Sequence, residues 1–207
     1  MTNLILKDYI FTRKQMLIAM MYCLAVPILL VMDGGDKNYW AQFFIPFAIT
    51  SFLLAKIFYM EDATDVRYFL KLLPYSVYKR VGSRFCFMGI TLIFAEVYLW
   101  AIQCIVFNQQ LLDVIKGNAV PVIIFFIYFA LYIMLAYCFG YLTAQNTIYI
   151  CMVIAAVLAI AYEKLNFNIN FAILANKQTV IVLSIVGMGI IFLFYLFSCK
   201  GEKRRGN

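Results

Sequence analysis

Glu61 to Arg84 reads EDATDVRYFLKLLPYSVYKRVGSR, a charged, helix-patterned insert between two apolar runs, Trp40 to Met60 and Phe85 to Phe107. Each flanking run is long enough to cross a bilayer, so the insert must lie at one membrane face and fixes the frame for the rest of the chain. The same criterion finds Gln15 to Met32, Val120 to Tyr141, Thr147 to Tyr162 and Val180 to Cys199. Crossing the ~30 Å hydrocarbon core takes about 20 helical residues, so Thr147 to Tyr162 is short. It needs helix running on into polar sequence, or a locally thinned bilayer. All six runs are continuously apolar rather than alternating, which argues for helices and against a barrel.

Composition gives the same answer. Of 207 residues, 66% are hydrophobic and 13% charged, with mean hydropathy +0.91; such a chain cannot wrap one apolar core in a polar shell. No internal repeat, low-complexity tract or linker divides it. The expectation is an all-α polytopic membrane protein, one transmembrane domain over residues 1–207 with six transmembrane helices. Residues 1–14, with Leu4, Ile5, Ile10 and Phe11 among Lys7, Asp8, Arg13 and Lys14, read as a retained interfacial helix.

Lys and Arg placement sets the orientation. With the N-terminus inside, the cytoplasmic segments carry Lys7, Arg13, Lys14, Arg67, Lys71, Lys79, Arg80, Arg84, Lys200, Lys203, Arg204 and Arg205. The outer face carries only Lys37, Lys116, Lys164 and Lys177, and Lys56 can snorkel inward. Both termini are therefore expected in the cytoplasm of a multi-pass cell-membrane protein. This asymmetry accounts for the net charge of +7 and points to anionic membrane lipids, not nucleic acid, as the counter-charge.

Outside, Asp33 to Asp36 reads as a tight turn, and Glu163 to Thr179, with Asn166, Asn168 and Asn170 alternating with apolar residues, as either an interfacial loop or a segment dipping back into the membrane. Inside, Leu142 to Asn146 is too short a link to form a docking surface. That leaves residues 61–84 and the termini.

Within the insert, Val66, Phe69, Leu70 and Leu73 fall at i, i+3, i+4 and i+7, a single helical stripe. Asp62 or Thr64 can cap the helix and Pro74 stops it. Ser76 can cap a second short helix, from which Lys79, Arg80 and Arg84 point to lipid headgroups before the third span begins. Such an insert can receive force from a soluble partner, or rest on the membrane surface.

Leu73, Pro74, Ser76, Arg80, Val81, Ser83, Arg84 and Phe85, preceded by Glu61 and Asp62, resemble the "acidic pair, Leu-Pro-x-Ser, Val-x-Ser-Lys" pattern of small ABC-2-type permeases. Asn3, Leu4, Lys7 and Asp8 resemble the usual start of those proteins. Arg84 stands where the pattern has Lys. The resemblance implies the membrane subunit of an ATP-driven exporter, moving a hydrophobic or amphipathic cargo such as a peptide. Two permease chains, identical or different, would pair over two soluble ATPase subunits that bind the ATP and magnesium. It further implies that 61–84 holds the coupling helix, with Asp62, Asp65, Arg67, Phe69, Leu70, Leu73, Pro74, Arg80 and Arg84 meeting the ATPase, and that 163–179 is a re-entrant outer segment. The chain has no Gly-x-x-x-x-Gly-Lys-Ser/Thr loop, consistent with hydrolysis supplied by a partner and no cofactor of its own.

Glu96 is the one ionisable residue deep in a span, with Gln103 seven residues on and near the same face. The pair reads either as a polar stripe on the translocation path or as interhelical hydrogen bonding. Enzymatic readings find little support. There is no histidine, so no serine has the usual base, and Cys23, Cys86, Cys104, Cys138, Cys151 and Cys199 lack the spacing of a metal site or disulfide framework. The remaining alternative is a stand-alone membrane immunity or sensory protein that needs no ATPase.

Overall fold

The computed structural model describes residues 2–32, 39–63, 66–105, 108–150, 153 and 177–204. Among them the chain is helical and contains no strand. The elements are α1 (Thr2–Phe11), α2 (Arg13–Met32), α3 (Tyr39–Ala63), α4 (Val66–Leu72), α5 (Val77–Ile105) and α6 (Leu111–Phe139). Residues 141–150 form α7, and Lys177–Arg204 form α8. Among the described residues, three segments, Val77–Ile105, Leu111–Phe139 and Gln178–Arg204, are long and apolar enough to cross a membrane. The turn at Asp33 to Asp36, most of the expected fifth span and nearly all of the outer segment 163–179 lie outside the described residues.

Centre and rim are distinguished by burial. On α5, Met88, Leu92, Ala95, Leu99 and Ile102 are buried at alternating four- and three-residue steps, and Val81 is buried two turns before them, the stripe of a helix packed against its neighbours. On α8, Ile185, Met188, Phe192 and Phe197 are exposed, as suits a helix whose outer face meets lipid. Hydrocarbon solvates such side chains as well as a protein core does, so close packing rather than apolarity holds these helices together.

Side-chain contacts give the directions. Phe47 stacks on Phe129 at 5.7 Å, and Phe58 meets Tyr137 edge-on at 5.6 Å, so residue numbers rise together along α3 and α6 and these helices are parallel. Arg84 of α5 lies beside Tyr137 of α6 while Gln103 bonds Asn118, so α5 runs against both. α8 is parallel to α6. A Cβ built on Gly187 would stand 3.0 Å from Ile123, and one on Gly201 2.8 Å from the Cys138 sulfur and 3.1 Å from its backbone. These glycines, two heptads apart, let α8 lie on α6 at short range.

Two boundaries depart from the sequence reading. The second short helix and the third span are one element, because nothing between Val77 and Phe87 breaks a helix; the Lys79 N–H reaches the Ser76 hydroxyl at 3.4 Å, so Ser76 does sit at its start. The break between α6 and α7 is at Gly140 rather than over Leu142 to Asn146. Its φ of 98° is a conformation glycine adopts without a Cβ penalty.

Candidate functional site

The helix directions gather the ends of α1, α3, α5, α6 and α8 at one pole, and the charges there pair within the protein. The Arg84 guanidinium binds both the Asp8 and Glu61 carboxylates. Lys7 Nζ lies 3.3 Å from Asp8 and 3.4 Å from Glu61. Asp8, Glu61 and Arg84 are all buried. Two cations thus face two anions in a neutral cluster. Neutrality matters because an unpaired ion at such a site carries a desolvation penalty of several kcal/mol, about 3–5 for a broken buried pair. Burial, and then the neighbouring Arg84, lower the Lys7 pKa from its ordinary 10.5, with Glu61 and Asp8 pulling the other way.

Local chain geometry delivers each member. Thr12, wholly buried, interrupts the helix between α1 and α2 and donates its hydroxyl proton to the Asp8 carbonyl at 2.8 Å. This turn sets α1 as a separate piece with Asp8 facing α5. Glu61 stands in the last turn of α3 and Arg84 in the third turn of α5, so their pairing joins the two ends of the insert.

A second set of contacts anchors what lies between them. Arg80 Nη1 donates to the Leu70 carbonyl at 3.1 Å, satisfying an acceptor in the last turn of α4, and its other nitrogen lies 3.9 Å from Glu202 of α8. The Tyr195 hydroxyl donates to the Tyr78 carbonyl at 3.2 Å, and Lys203 lies over the Tyr78 ring at 5.1 Å. Asp62 belongs to α3 and accepts the Tyr141 N–H at 2.7 Å at the start of α7.

The expected docking residues therefore separate. Phe69 and Leu73 are exposed at 64% and 44%, Pro74 is exposed beside them, and Leu70 is half-buried. Leu72, 65% exposed, belongs to the same surface, although the i, i+3, i+4, i+7 stripe omits it. Arg84 points inward to the ion cluster rather than to headgroups, because Asp8 and Glu61 offer it stronger partners than water does. Arg67 lies in α4, and Asp65 and Thr64 lie outside the described residues.

The opposite pole carries amides. The Asn118 side-chain N–H donates to Gln103 Oε1 at 2.7 Å with both residues buried. Beside them Gln109, Gln110 and Asp113 line an open cavity of about 390 Å³. Asn118 sits in a run, Gly117 to Pro121, that no periodic template marks as polar-facing, and so escaped the sequence reading.

Between the poles lies Glu96, 3% exposed, with neither carboxylate oxygen hydrogen-bonded among the described residues. It stands twelve residues along α5 from Arg84. Thr50 and Ser51, about as far along α3 from Glu61, have hydroxyls that likewise find no partner there. Unpaired polar atoms at mid-span cost free energy, and native proteins keep them rarely outside functional places. Glu96 and Gln103 are thus placed differently: one is unpaired, the other bonded across α5 and α6. No group of His, Cys, Asp or Glu able to hold a metal occurs among the described residues.

A family model described as ABC-2 family transporter protein matches residues 3–201. That span covers nearly the whole chain, including α1, the insert and α8, so the chain belongs to the ABC-2 family of transporter membrane proteins. No curated protein matches, and no solved structure does.

Proposed function

We propose that this ABC-2 family chain is the permease subunit of an ATP-driven exporter with six transmembrane helices, both termini in the cytoplasm, and a separate soluble ATPase docked on the insert. The family match over residues 3–201 is the observation that carries the reading. The insert adds to it. An exposed apolar tip of Phe69, Leu72 and Leu73 is held on a frame whose two ends are clamped by the Glu61–Arg84 pair. Force applied at such a tip reaches α3 and α5 together.

In this reading the docking role narrows to Phe69, Leu70, Leu72, Leu73 and Pro74, with Arg80 and Arg84 holding the frame behind them. Two permease chains form the pathway, and Glu96, with Thr50 and Ser51 at a comparable depth, offers polar contacts to a passing amphipathic cargo. Gln103 contributes by holding α6 against α5.

The test is reconstitution with the candidate ATPase. Leu73→Asp is expected to keep the chain folded while lowering its stimulation of ATP hydrolysis and its transport together. Glu96→Gln is expected to lower transport at unchanged expression, with ATPase docking intact. Full function of the chain with no nucleotide-binding partner sinks the exporter reading in favour of a stand-alone membrane protein.

A further inference from the structure

Just inside the ion cluster, a cavity of about 210 Å³ opens between α1, α2, α3 and α5. Phe87, Ile90, Thr91 and Phe94 form its floor at i, i+3, i+4 and i+7 along α5. Phe87 is three residues beyond Arg84 and Phe94 ten beyond. At ~1.5 Å per residue the groove therefore begins about one turn inside the charged pole and reaches about 15 Å inward. That depth is half of the ~30 Å hydrocarbon core, the share of one leaflet.

The chemistry of the walls is restrictive. Thr91 is the polar residue of the floor, and its hydroxyl already bonds the Phe87 and Met88 carbonyls at 3.0 and 2.9 Å. Its proton is thus committed within the helix and the rest of the floor is apolar, so the matching ligand portion is hydrocarbon. Met16 and Ala19 of α2 close one side. Arg13 stands one turn before Met16 toward the charged pole, and Lys14 follows it; both are exposed, and neither has an ion-pair partner among the described residues. Every other cation named in the ion cluster is spoken for.

We propose that this groove is a site for an anionic phospholipid of the charged-pole leaflet, one acyl chain lying along Phe87 to Phe94 and the phosphate held by Arg13 and Lys14. A resident lipid here packs between α1 and α5, filling a space the side chains leave open. The site is separate from the docking tip and from Glu96, and its existence does not depend on the exporter reading.

The purified full-length chain, in nanodiscs of phosphatidylcholine doped with phosphatidylglycerol, is stripped into detergent and its retained lipids counted by native mass spectrometry. The wild type is expected to retain phosphatidylglycerol well above its bilayer share. Arg13→Gln with Lys14→Gln is expected to reduce that preference by roughly ten- to thirtyfold, the effect of two juxtamembrane cations at ~1 kcal/mol each. Ala19→Leu, which narrows the groove without touching the cations, is expected to lower total retention of both lipids. Equal retention of the two lipids by the wild type overturns the proposal. So does retention unchanged in both variants, a retained amphiphile that is no phospholipid, or a groove covered by a second copy so that Ala19→Leu changes the oligomeric state instead of the lipid count.

Discussion

The two poles of this bundle solve the same problem with different chemistry. One closes the junction of α1, α3 and α5 with four ions whose charges cancel, and the other closes the junction of α5 and α6 with one amide pair beside an open cavity. Ionic closure is strong in its parts and intolerant of loss, since removing one member strands the rest. Amide closure is weaker and more forgiving, because a neutral group left alone costs less than a charge. For the exporter role proposed above, ionic closure suits the pole that would carry force from a docked ATPase.

The sharpest way to break that contrast is Arg84→Gln. It leaves Asp8 and Glu61 facing Lys7 alone, and the expected loss is about 3–5 kcal/mol of stability, read as thermal unfolding in detergent. Adding Glu61→Gln to it restores neutrality and should recover much of the loss; failure of the pair to recover means the ions act singly. Next comes Gln103→Leu at the other pole, which strands the buried Asn118 amide at a cost of roughly 1–3 kcal/mol. Gln103→Leu with Asn118→Leu should come close to wild type, and a larger loss in the double variant places these amides in a wider network.

The smallest effect concerns pH. Because Lys7 titrates lower in the folded protein than its ordinary 10.5, the unfolded chain holds the proton longer, and folded stability gains as pH climbs from the folded pKa toward that value. Measured as unfolding temperature at rising alkaline pH, wild type should gain on Lys7→Gln; a parallel pair of curves refutes the burial argument.

Much of this organisation was legible in the sequence, and the parts that were not share a cause. Continuous apolar runs and the Pro74 stop marked the helices, because both act locally. The acidic pair Glu61 and Asp62 was visible as a motif, but its division of labour was not: one residue turns to α1 and α5, the other to the start of α7. Adjacent helix positions point about 100° apart, so neighbours in sequence serve different neighbours in space. Arg84 looked like a headgroup ligand because its partner Asp8 lies far away in the chain. Leu72 was missed because a four-position template samples one face, whereas exposure at the tip depends on what α8 and α5 leave uncovered.

The close seating of α8 on α6 limits how this molecule can change shape. Sliding α8 by one turn, about 5.4 Å, would bring a residue such as Phe197 to the spot where even a Cβ on Gly201 meets Cys138 at 2.8 Å. Axial ratcheting is therefore closed to this pair. Any rearrangement that keeps this close seating moves α6 and α8 together as one rod.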